Sequence, residues 1–111
     1  MEEISISDII VSAAGRDQGK LFYVIGTEGV YALIANGKDR KLERPKRKKL
    51  KHVRFVTRTE SRVAVKLRTG EKVLNSELRR DLAAISQALA QNQEEVQEFW
   101  EKPMLSNLRA S

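Results

Sequence analysis

The chain has 111 residues, 41% apolar and 32% charged, which fits one folded domain and is too apolar for wholesale disorder. It has no cysteine and one histidine, His52, which excludes disulfide scaffolds, thiolate nucleophiles, zinc fingers and multi-histidine metal sites; no metal and no cofactor is expected. No apolar run approaches the roughly 20 residues of a membrane span, and Met1-Glu2-Glu3 lacks the basic start of a signal peptide, so the expectation is a cytoplasmic protein with no membrane partner.

The first half reads as short strands. Ile4-Ser5-Ile6-Ser7 alternates, and Ile9-Ile10-Val11 is a β-branched run. A small-residue turn, Ala13 to Lys20, holds two glycines and leads into the apolar strand Leu21–Ile25. Gly26-Thr27-Glu28-Gly29 reads as a tight turn and Val30–Ala35 as a third strand, closed by the hairpin signal Asn36-Gly37. A basic stretch then crosses Pro45, which marks an edge or a bend. Val53–Thr57 and Arg62–Leu67 read as two more strands, the second with Val63, Val65 and Leu67 on one face. Five or six short strands without an intervening helix predict a mainly β fold, a small barrel or sandwich.

After Gly70 the period changes. Asn75 or Ser76 is a candidate N-cap with Glu77 in the first turn, and Leu78, Leu82, Ile85 and Leu89 recur at helical spacing. The spacing predicts a helix over 76–90 and a second or continuing one over 93–102, ended by Pro103. The domain reading is a barrel over 1–75, C-terminal helices over 76–102 packed on it, and a flexible tail over 103–111.

Charge is the first positive clue. The chain carries 21 Lys and Arg against 15 Asp and Glu, a net +6. Residues 38–54 hold ten bases (Lys38, Arg40, Lys41, Arg44, Lys46, Arg47, Lys48, Lys49, Lys51 and Arg54) and two acids, a net +8, while the rest carries 11 bases and 13 acids. One segment therefore holds the whole excess, which is the footprint of a polyanion binder. Edge protection alone needs far fewer lysines. His52 reads as a bystander in this surface.

The stretch from Ile10 to Ile25 resembles the KOW motif: a β-branched strand, a turn with two glycines four apart (Gly15-Arg16-Asp17-Gln18-Gly19-Lys20), then a second strand with Phe22 and Val24. It is similar to the KOW segment of the eukaryotic and archaeal ribosomal L14e and L27e families, and closer still to small bacterial KOW-domain RNA-binding proteins. The likeness runs on through Leu33 to Gly37 and Arg40 to Lys49 and covers about residues 4 to 57. The resemblance implies an SH3-like β-barrel that binds RNA in a ribosomal setting, with the ribosome as partner. The residues allow this independently. Gly15 and Gly19 permit a tight turn that a phosphate backbone can approach, although hairpin geometry alone also explains them. Arg16 and Lys20 beside them stand between solvated and phosphate-contacting. The run Lys46 to His52 reads as a dense positive stripe on a barrel edge and as the favoured RNA contact, ahead of a solvated charge run or a protected edge strand.

Phe22, Tyr31 and Phe55 read as core and Tyr23 as the aromatic free to be exposed. So few stacking residues favour structured RNA, contacted through its backbone, over a single strand. The helical stripe has two readings: a face packed on the barrel, or a partner or self-association surface made by Leu78, Leu82, Ile85, Leu89, Phe99 and Trp100. A protein-interaction module using that helix is the alternative function. No nucleophile with a poised base and no phosphate-binding P-loop is present, so no catalytic residue and no enzyme is expected.

Overall fold

The structure, a computed structural model, describes residues 3–106, and side chains through residue 91. Five strands form one antiparallel sheet: β1 (Asp8–Ser12), β2 (Leu21–Glu28), β3 (Tyr31–Ala35), β4 (Lys46–Lys49) and β5 (Val53–Arg58). Their order is β4-β3-β2-β1-β5, with a 3-10 turn, Leu50–His52, carrying the chain from β4 back to β5. The two edge strands share no ladder, so the sheet is not closed by hydrogen bonds. Two helices follow, α1 (Arg62–Thr69) and α2 (Asn75–Ser106).

Alternation along the strands sorts the apolar residues onto two faces. Ile10, Phe22, Val24, Ala32, Ile34 and Val53 pack together on one face, with Ile4 and Leu50 against them. Ile9, Tyr23 and Ala35 lie on the other and meet Val63 and Ala64 of α1 and Leu78 and Leu82 of α2. Both faces are therefore buried, the second by the helices. This corrects the reading of Tyr23 as exposed: its side chain is inaccessible. Phe55, read as core, is 38% exposed, and Tyr31 is only half-buried. Phe22 is in the core, as its place in the alternation predicts.

Three predicted elements differ in the structure. Ile4 to Ser7 is not a strand. The Asp8 carboxylate accepts from the Ser5 amide at 2.8 Å, the Asp8 amide bonds back to the Ser5 carbonyl, and Ser7 takes a positive φ of 75°, so the chain turns before β1 begins. Gly26 to Gly29 is not the turn, because the register shifts between Val24 and Gly26 and β2 continues through this bulge to Glu28. The turn is Gly29-Val30, between the paired residues Glu28 and Tyr31. The largest correction is Arg62 to Leu67, predicted as a strand and found as α1. Ser61 Oγ accepts from the Ala64 amide at 3.1 Å and starts the helix; Gly70, left-handed, ends it. Val63 and Leu67, one turn apart, face the sheet, whereas Val65 is 37% exposed.

The α2 helix is a single helix and runs past Pro103 to Ser106 rather than ending there. A proline removes one amide from the ladder, and the helix closes a turn later than the sequence spacing predicts. Of the predicted tail, residues 107–111 lie outside the described part, as do the Phe99 and Trp100 side chains. Leu78 and Leu82 are buried in the chain's own core, with Ile85 packed against it. No helix among the described residues is long and apolar enough to cross a membrane.

Candidate nucleic-acid interface

The glycine pair makes the turn between β1 and β2. Gly15 and Gly19 both have positive φ, 80° and 89°, and the Gly19 amide donates to the Ser12 carbonyl at 2.8 Å while the Lys20 amide donates to that of Asp17 at 2.9 Å. A side chain at Gly19 meets no neighbour, so the glycine is there for its backbone angle and not for space.

The β3–β4 connection, residues 36–45, lies beside this turn. Asn36 organises its first part, its Oδ1 accepting from the amides of Lys38 and Arg40 at 2.9 and 3.0 Å. Two ion pairs join the loops. Lys20 Nζ lies 2.9 Å from Asp39 and holds that carboxyl below its ordinary range, and Arg40 lies 3.4 Å from Asp17, which is nearly fully buried. A third link comes from β4: Lys48 Nζ donates to the Ala14 carbonyl at 2.8 Å, and a Cβ on Gly15 would lie 3.2 Å from it. The structure thus brings the glycine turn, the 36–45 loop and the basic edge strand into one surface.

Strand alternation divides the run Lys46 to Lys49 into two faces. Lys46 and Lys48 pair with Ile34 and Ala32 and point to the face of the inner cluster; both are half-buried. Arg47 and Lys49 point the other way and are exposed. Arg47 lies over the Tyr31 ring, 4.3 Å from its centre, and 3.5 Å from the Glu28 carboxylate. In the segment 38–54, Lys38, Lys41, Arg44, Lys46, Lys49, Lys51 and Arg54 make no ion pair among the described residues, nor does the exposed Arg16 of the glycine turn. Of the cations that follow, Arg58, Lys66 and Arg68 are paired with Asp8, Glu77 and Glu60.

One cation of the surface is invisible to a reading of the basic segment. Arg79 on α2 donates to the Gly37 carbonyl at 2.6 Å, and with Lys20, Lys38 and Asp39 it lines an open cleft of about 490 Å3 between the two loops and the helix. Its sequence signal was its helical spacing from Leu78 and Leu82, which sets it beside the buried face, but the partner loop lies 42 residues away. Asn75, a predicted N-cap, bonds instead to the same loop: its Oδ1 accepts from the Leu42 amide at 2.8 Å and its Nδ2 donates to Glu43 at 2.9 Å. The helix start is closed by Glu77, which accepts from the Leu74 amide at 2.9 Å; that bond and Lys66 hold its carboxyl below the ordinary range. No group of three or more His, Asp or Glu fit to hold a metal exists among the described residues.

No protein-family model matches the chain, and no curated protein matches it.

Proposed function

We propose that the protein is a non-enzymatic RNA-binding module of the KOW type, which takes structured RNA, ribosomal RNA foremost, on the surface formed by the glycine turn, the 36–45 loop and β4. The observation that carries this reading is the convergence of these three elements through the Lys20–Asp39, Arg40–Asp17 and Lys48–Ala14 links, with most cations of the segment left without an acidic partner. Exposed cations held on a hydrogen-bonded frame are what a phosphate backbone needs, and their fixed spacing suits a folded RNA better than a mobile strand. An SH3-like barrel is the finer fold reading. It is supported by the strand order, by the 3-10 turn between β4 and β5, and by Lys48, which reaches from the edge strand β4 to the Ala14 carbonyl just past the end of β1. Leu78 and Leu82, two of the six residues of the stripe offered as a partner surface, are occupied inside the fold and Ile85 packs against them, which favours RNA over the protein-interaction reading.

Binding to a ribosomal RNA fragment, titrated against salt, tests the proposal. If about five phosphates are neutralised, log K falls against log salt with a slope of about −3.5 to −4.5. A slope near zero removes the basic surface from the binding site.

A further inference from the structure

The Lys49 end of β4 meets the Gly29-Val30 turn. The Leu50 amide donates to the Val30 carbonyl at 2.8 Å, which holds the 3-10 turn against the hairpin tip. Between them is an open notch of about 410 Å3 lined by Val30, Lys49, Leu50 and Lys51. Val30 is 64% exposed, the most exposed large apolar side chain among the described residues. A single exposed valine is ordinary. What sets this one apart is its company: an apolar floor of Val30 and Leu50, with a lysine on each side of Leu50 in the chain. Beside it is Tyr31, which pairs across the ladder with Lys49 and has the Arg47 guanidinium over its ring.

We propose that this notch receives one unpaired nucleobase of the bound RNA, an inference that rests on the RNA-binding reading and narrows its substrate to folded RNA carrying a bulged or looped-out nucleotide. Such a nucleotide is a flat, largely apolar ring with a phosphate on either side, and the notch is a largely apolar floor whose lining includes two exposed lysines, Lys49 and Lys51, without an acidic partner among the described residues. The Tyr31–Arg47 stack, next to Val30 in the chain and paired with Lys49 across the ladder, supplies the two kinds of side chain on which bases stack. An apolar peptide side chain would cover Val30 and Leu50 and leave both lysines without an anion. A regular duplex buries its bases in the stack and would leave the floor bare.

The experiment uses the full chain and two RNA hairpins identical except that one carries a single bulged 2-aminopurine, with affinities measured at one fixed salt concentration. The bulged hairpin is expected to bind about tenfold tighter, with a change in 2-aminopurine fluorescence on binding. In Val30→Ser the preference falls to near one, while affinity for the paired hairpin and the melting temperature stay as in the parent, because the side chain is exposed. Leu50→Ala lowers the preference too; its melting is measured alongside, since Leu50 also packs on the inner cluster. Equal binding of the two hairpins by the parent protein overturns the notch and leaves the RNA reading standing, and binding of neither overturns both. A preference that survives in Val30→Ser also overturns the notch. Concentration-dependent self-association in sedimentation that Val30→Ser abolishes makes the notch a contact between copies of the chain and overturns its assignment to RNA.

Discussion

The Tyr23 hydroxyl joins three elements. Its ring is buried in β2, its O–H donates to the Asp81 carboxylate of α2, and Ser61, the cap of α1, lies 3.2 Å away and itself donates to Asp81 at 3.0 Å. Burial first, and the neighbouring Asp81 carboxylate second, push the Tyr23 pKa up to about 12 from an ordinary 10. The sign follows directly. Below pH 10 the phenol is protonated folded and unfolded, and its stabilising contribution is complete. Between pH 10 and 12 the unfolded chain releases the proton and the folded one does not, so stability falls as pH rises. Tyr23→Phe should cost about 1–2 kcal/mol at pH 7 through the lost hydrogen bond, and should flatten the decline between pH 10 and 12. Denaturant titrations of both proteins at pH 8 and pH 11 check this; equal losses in the two remove Tyr23 from the linkage. The sequence reading of Phe22 as core holds, and that of Tyr23 as free to be exposed does not. Period two does not say whether the second face is covered, and here α1 and α2 cover it.

At the scale of elements, α2 is part of the domain rather than an addition to it. The sequence reading divides the chain after residue 75, which would leave the preceding residues to fold alone. In the structure Leu78 is inaccessible and Leu82 is 6% exposed, both against Ile9 and Tyr23. Removing either buried leucine from such a core costs about 2–5 kcal/mol, and a domain of this size has a total margin of about 5–15. A chain cut after Asn75 is therefore expected to lose cooperative thermal unfolding and near-ultraviolet circular dichroism; a sharp transition in the truncated chain would return α2 to the status of an appendage. Gly37 makes the same point at finer grain. A Cβ there would strike the Asn75 carbonyl and press on Leu78, and its φ of 78° already disfavours a side chain. Gly37→Ala should loosen the start of α2 from the 36–45 loop and lower the melting temperature, whereas Gly29, with nothing near its Cβ position, should tolerate alanine better. Asn36-Gly37 was legible as a turn, but the helix that needs the glycine's empty side lies 38 residues on. The α1 helix escapes the period for a related reason: Val63, Val65 and Leu67 satisfy the strand period, only Val63 and Leu67 share a helical face, and the deciding signals are the cap Ser61 and the terminator Gly70 at its two ends.

For the molecule as a whole, the location of the charge was legible and its division of labour was not. The ten cations of 38–54 stand out by count alone, but their partners come from distant turns and strands: Asp17 for Arg40, Glu28 and Tyr31 for Arg47, the Ala14 carbonyl for Lys48. Two classes of cation result, and they are expected to separate in experiment. Lys41, Arg44, Lys49 and Lys51 are exposed and make no ion pair among the described residues. Changing these four to Glu takes the net charge from +6 to −2, and should abolish RNA binding at physiological salt while changing stability by no more than about 0.5 kcal/mol per site. Lys48 works within the fold, tying the edge strand to the glycine turn. Lys48→Ala removes one charge and one bond to a carbonyl, so it should cost about 1–2 kcal/mol of stability and weaken RNA binding beyond the effect of a single charge, because the glycine turn and β4 are no longer held in one surface. Thermal melts and binding curves taken at two salt concentrations distinguish the classes. The charge reversals should flatten the salt dependence with melting almost unchanged, and Lys48→Ala should shift melting with the salt slope reduced by at most about one phosphate's worth. A Lys48→Ala protein that melts like the parent would mean that the turn and the edge strand keep their places without this bond, and Lys48 would then rank as one more phosphate contact among the others.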